Sequence, residues 1–83
     1  MSDYRIVILQ RGWVAVGNYR KEGQEVIIEN ASIIRIWGTT KGLGQLALHG
    51  PQENTVLDPC GTLKVHELAV IGTMDTEIAK WQN

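Results

Sequence analysis

Over the first thirty residues, hydrophobic positions come in short runs with a period of two, the signature of strands. Tyr4 to Gln10 places Val7 and Leu9 on one face and Ile6 and Ile8 on the other. Both faces are apolar, so this strand is expected to be central or covered on both sides. Arg11-Gly12 reads as a turn. From Trp13 to Arg20, Trp13, Ala15, Gly17 and Tyr19 share one face, and Val14, Val16 and Asn18 share the other. Lys21-Glu22-Gly23 reads as a hairpin loop in which glycine supplies a positive φ. Glu25 to Glu29 is the return strand, Asn30-Ala31-Ser32 a turn, and Ile33 to Trp37 a fourth strand.

The second half changes period. Leu43 to Leu48 can form one or two helical turns, with a Thr39 or Thr40 hydroxyl as the N-terminal cap. Gly50-Pro51 stops them, and residues 51–54 are loop. Asp58-Pro59-Cys60-Gly61 has the residue order of a type I turn. Thr62 to Met74 is the longest β-like run and is expected to bend or bulge. Asp75 or Thr76 caps a last helical turn through Trp81, with Glu77 and Lys80 three apart. The pattern predicts a mainly β domain, α+β at the margin. Its architecture is a compact antiparallel sheet or small barrel with one short helical insert near residues 40–49 and a C-terminal helical turn.

Length adds one constraint. At 83 residues the chain is a single domain, 1–83, near the lower limit for a self-sufficient core. Chains this short often gain buried surface by association, so a homo-oligomer is expected. The single cysteine, Cys60, excludes an internal disulfide and a cysteine-based zinc site within one chain. No apolar run approaches the ~20 residues of a membrane span. Asp3 and Arg5 interrupt the start of the sequence, which is unlike a signal peptide. A cytosolic protein is expected.

Net charge is −1, which argues against general nucleic-acid binding. The charge is uneven: residues 1–42 hold six Lys/Arg against four Asp/Glu (+2), and residues 43–83 two against five (−3). A mixed solvated surface accounts for this, and so does an anion site in the first half.

Candidate chemistry concentrates in "WGTTKGLGQLALHGP", Trp37 to Pro51. The Walker A order fails, because Lys41 precedes Gly42 and Leu43 stands where the lysine belongs. Gly42-Leu43-Gly44-Gln45-Leu46-Ala47 matches the dinucleotide fingerprint, but Gly50-Pro51 leaves no room for a βαβ unit. A simpler reading survives beside that of a plain strand-to-helix turn. Gly38, Thr39, Thr40, Lys41 and Gly42 supply amides, hydroxyls and a cation to an anion. Arg35 and Trp37 precede them on one strand face by parity. Trp37 or Trp13 stacks on a base, while Arg35, Lys41 and Arg11 meet phosphates.

The remaining features are weaker. Trp13 and Tyr19 flank Ala15 and Gly17, leaving a shallow groove for a flat ligand or an aromatic pair packed across the sheet. His49, His66 and Cys60 form no local dyad, and no carboxylate spacing suggests acid–base chemistry. No cofactor, metal site or enzymatic activity is expected.

"RGWVAVG" (Arg11–Gly17), "RIWGTTKGLGQLALHGP" (Arg35–Pro51), "TVLDPCG" (Thr55–Gly61) and "VHELAVI" (Val65–Ile71) resemble a family of small phage and prophage proteins. The resemblance covers most of the chain. It implies a phage origin and action in the host bacterial cytoplasm, and it transfers no site residues. In size and in lacking catalytic groups, the chain is also similar to phage sponges that sequester nucleotide immune signals of Thoeris-type and related defences. Together these imply counter-defence by sequestration. Direct inhibition of a host protein and a virion or assembly role are the alternatives.

Overall fold

The computed structural model describes residues 3–81. Five antiparallel strands form one sheet in the order β4-β3-β2-β1-β5. They are β1 (Tyr4–Leu9), β2 (Val14–Glu22), β3 (Glu25–Ile36), β4 (Val56–His66) and β5 (Val70–Asp75), with one α-helix, α1 (Leu43–His49), between β3 and β4. Short 3₁₀ turns lie at Gln10–Gly12, Glu67–Ala69 and Ile78–Lys80. The mainly β expectation holds.

β1 runs between β2 and β5, which explains its two apolar faces. Ile6 packs with Val14, Val16, Ile34, Leu43, Leu46 and Ala47. Val7 and Leu9 pack on the opposite side with Ala15, Val26, Ile28 and Ala31. α1 seals the first cluster through Leu43, Leu46 and Ala47, the i, i+3, i+4 stripe of an amphipathic helix. Gly50, at φ 81, ends the helix by donating its N–H to Leu46 O at 2.8 Å. The C-terminal turn closes the same side. Glu77 N–H donates to Ala47 O at 2.9 Å, and Trp81 stacks obliquely on Tyr4 with ring centroids 5.9 Å apart. Burial there raises the pKa of the Tyr4 hydroxyl above its ordinary value.

The second cluster exists because the sheet folds over itself. His66 pairs with Glu25 at the tip of the β2–β3 hairpin, and Val70 pairs with Leu9 at the end of β1. Only Glu67–Ala69 separates them, a link that spans at most about 14 Å. Val14 sits opposite Ile8, near the end of β1. In a flat sheet the hairpin tip, eight residues further along β2, would lie ~27 Å away. The long strands therefore bend. The bend shows as register shifts between Val16 and Asn18 and between Ile28 and Ala31. Asn30 takes φ 51 there, and Gly61, opposite Ala31, takes φ 75.

This bend corrects two expected turns. Asn30-Ala31-Ser32 does not reverse the chain; it is a bulge inside one twelve-residue strand. Asp58-Pro59-Cys60-Gly61 is likewise a kink inside β4. Pro59 is tolerated because β4 is an edge strand, where one missing N–H breaks no necessary ladder bond. The run from Thr62 to Met74 is not one strand. It splits at Glu67–Ala69 and supplies both edges of the sheet.

The 3₁₀ link between the edges is held locally. Leu68 N–H donates to His66 Nδ1 at 3.1 Å, Glu67 N–H to Gln24 O at 2.8 Å, and Lys21 Nζ meets Glu67 Oε2 at 2.9 Å. That hydrogen bond to Glu67 raises the Lys21 pKa. Replacing His66 with alanine removes the side-chain cap and is expected to cost about 1 kcal/mol. Chemical denaturation of His66→Ala and His66→Asn checks this, since asparagine can restore the acceptor and should recover most of the loss.

Candidate functional site

All nine residues expected to form a site fall at one end of the sheet. Arg11 lies in the β1–β2 connection, Trp13 just before β2, Arg35 near the end of β3, and residues 37–42 in the segment leading to α1. Trp13 is 58% exposed and Trp37 42%, so neither is needed to fill the core. Thr55 Oγ1 donates to Trp37 O at 2.6 Å, tying this segment to the loop before β4. Gly38, at φ 64, lies directly against that loop: a Cβ there would stand 2.3 Å from the Asn54 carbonyl carbon.

The details differ from the sequence reading in three places. First, Arg35 is not free. Its Nε meets Asp58 Oδ2 at 2.8 Å across the β3–β4 pairing. Both side chains are half exposed, so this is a solvent-screened pair that a ligand anion can compete with. Second, a register shift between Ile34 and Ile36 interrupts the regular alternation of β3. Parity therefore does not place Arg35 and Trp37 on one face.

Third, three of the five loop amides from Gly38 to Gly42 are occupied. Gln45 Oε1 accepts from Thr40 N–H at 3.2 Å and from Lys41 N–H at 2.9 Å, and Thr39 Oγ1 accepts from Gly42 N–H at 3.0 Å. The expected cradle of free N–H groups at Thr40, Lys41 and Gly42 is filled by the chain's own side chains. The expected threonine cap is also displaced. Gly42 is the N-cap residue, at φ 85, without a side-chain cap bond of its own. What the loop presents outward is the Lys41 side chain, which is exposed.

The groove expected between Trp13 and Tyr19 is absent. Ala15 is fully buried in the folded-over interior, and β3 closes over Gly17. A concavity lies at the sheet bend, with Tyr19 in its lining. It measures about 450 Å³ and is lined by Asp3, Asn18, Tyr19, Arg20, Glu29, Asn30 and Thr62. Arg20 is engaged there by Glu22 and by Glu29. Arg5 is paired with Asp3 at 2.6 Å and sits 5.3 Å from the Tyr19 ring centre. Asn18 Oδ1 is buried without a hydrogen-bond partner among the described residues. Sequence patterning gave no signal for this depression beyond Asn30, a residue type that tolerates positive φ.

Cys60 is exposed, and its thiol donates to Ala31 O at 3.5 Å. Among the described residues, no group of three or more His, Cys, Asp or Glu could hold a metal ion, and no helix is long and apolar enough to cross a membrane. No protein-family model matches this chain, and no curated protein matches it.

Proposed function

We propose that this chain is a non-enzymatic phage protein that binds a nucleotide-type signal of host immunity and sequesters it in the bacterial cytoplasm, acting as a homo-oligomer. The observation that carries the reading is the convergence of two exposed tryptophans, Trp13 and Trp37, with Arg11, Arg35 and Lys41 at one end of the sheet. An indole face offers stacking to a base, and nearby cations offer contacts to phosphate. Side chains supply the main anion contacts in this reading, because Gln45 and Thr39 already hold the amides of Thr40, Lys41 and Gly42.

Calorimetric titration with ADP-ribose-type and cyclic dinucleotide ligands tests it. Lys41→Ala is expected to weaken binding about ten- to a hundredfold, the range of one charge-assisted contact. Lys80→Ala, also an exposed lysine, is the control and should change nothing. Equal affinity for the two variants, or no binding by the parent, removes the nucleotide reading. Light scattering of the parent should give a mass above the 9.2 kDa of one chain.

A second reading, inhibition of a host protein by direct contact, is favoured by a different observation. Among the described residues, Leu68 and Ile71 are the two most exposed large apolar residues, at 76% and 67%, and both lie at the start of the β5 edge.

A further inference from the structure

We infer that the concavity at the sheet bend is a binding site for a small organic cation whose primary ammonium group supplies the hydrogen-bond donors. The site goes beyond the nucleotide reading and shares no residue with it.

Neighbouring strands build the site. Asn18 on β2 pairs directly with Glu29 on β3, so their side chains share one face of the sheet. Leu63 pairs with Ile28, which stands Thr62 of β4 beside Glu29. Asp3, just before β1, borders the other side of β2, where its carbonyl accepts from Tyr19 N–H at 2.8 Å. All of these residues line one space of about 450 Å³, which falls in the ~300–1,000 Å³ range of small-molecule sites.

The polar atoms left over define the occupant. The guanidiniums are committed. Arg5 Nε meets Asp3 Oδ1 at 2.6 Å, Arg20 Nε meets Glu29 Oε1 at 3.3 Å, and Arg20 also meets Glu22. Three carboxylates therefore share two guanidiniums, and the surplus charge is negative. Among the described residues, Glu29 Oε2 accepts no hydrogen bond, and Asn18 Oδ1 is buried with no partner at all. An unpaired buried acceptor costs the empty protein free energy that a bound donor returns. Oδ1 is turned into the fold, but the amide torsion of asparagine is broad. A donor at the cavity wall draws the oxygen round and gives it the hydrogen bond it lacks.

An anion would meet the surplus carboxylate. A metal ion lacks its ligand set, since among the described residues no group of three or more His, Cys, Asp or Glu could hold one. A primary ammonium fits on both counts. It brings positive charge to Glu29, and its three N–H donors match Asn18 Oδ1, Glu29 Oε2 and the Thr62 hydroxyl, one acceptor from each of β2, β3 and β4.

The test is titration of the full chain with n-butylammonium chloride, followed residue by residue by amide NMR. Saturable shifts centred on Asn18, Glu29 and Thr62 are expected. Two matched probes separate charge from donors: n-butanol lacks the charge, and tetramethylammonium has the charge but no N–H. Each should bind at least about tenfold more weakly. Glu29→Gln keeps an oxygen for Arg20 and removes only the charge, and it should lose about tenfold in affinity. Asn18→Leu should lose as much while folding at least as stably as the parent, because it removes an unpaired buried acceptor. Glu53→Gln, an exposed carboxylate outside the cavity, should bind as the parent does. The inference is overturned if no saturable shift appears at these residues, or if n-butanol or tetramethylammonium binds as tightly. It is equally overturned if Asn18→Leu or Glu29→Gln binds as the parent does, or if Glu53→Gln weakens binding as much as Glu29→Gln. Lys41→Ala should leave ammonium binding unchanged, so failure of the nucleotide reading is seen separately.

Discussion

Leu46→Ala is expected to destabilise the protein by about 2–5 kcal/mol, the range for truncating a buried leucine. Leu46 is completely buried and sits at the centre of the stripe by which α1 covers Ile6, Val14, Val16 and Ile34. A seven-residue helix has little stability of its own, so tertiary burial must hold it. Total stability of a small domain is only ~5–15 kcal/mol, so the substitution removes a large share. Each kcal/mol moves Tm by ~4–8 °C at this size. Urea and thermal unfolding followed by tryptophan fluorescence measure the change. Leu48→Ala is the control. Leu48 lies on the same helix but is 59% exposed, and its truncation should stay within ~0.5 kcal/mol. Equal losses for the two variants would mean that α1 is not seated by this face.

Gly17→Ala is expected to cost on the order of 2–3 kcal/mol, although alanine would relieve the entropic cost of a glycine in a strand. The reason is space. An added Cβ would stand 2.7 Å from Ile28 Cγ2, 2.9 Å from Glu29 O and 3.0 Å from Ala31 Cα. Two of these are backbone atoms of the β3 bulge, so relief requires the bend itself to open. Gly12→Ala separates this effect from ordinary glycine conformation. Its φ of 79 makes alanine strained, but no atom lies within 4 Å of the added Cβ. A loss of only about 1–2 kcal/mol is expected there. Equilibrium denaturation of both variants decides the matter. A neutral or stabilising Gly17→Ala would show that β3 does not close over β2 as described.

The same bend explains which parts of the fold were legible in the sequence. Alternation is local, so the faces of β1 and β2 could be assigned residue by residue. Ile6 and Ile8 face α1, and Val7 and Leu9 face the folded hairpin. Asn30 and Gly61 were read as turn formers. They do adopt the positive φ that turn residues favour, at 51° and 75°. Yet a local dihedral says only that the chain bends at that residue. Whether it then reverses or continues depends on hydrogen bonds from partner strands. At Asn30 those partners, on β2 and β4, carry the strand through.

By itself the sequence determined the faces of β1 and β2, the short helix with its Gly50 stop, and the residue types able to meet a base or a phosphate. These follow from periodicity and side-chain chemistry, which need no knowledge of distant neighbours. Tertiary structure decided the rest. It split the Thr62–Met74 run between opposite edges of the sheet, because the link between them had to close a folded-over hairpin. It gave Arg35 to Asp58 and the amides of Thr40, Lys41 and Gly42 to Gln45 and Thr39, because β4 pairs beside β3 and the first turn of α1 brings the Gln45 side chain back over the preceding loop. It put Val70 and Trp13 on either side of Leu9, more than fifty residues apart in the chain, because β1 pairs with β5 on one side and with β2 on the other.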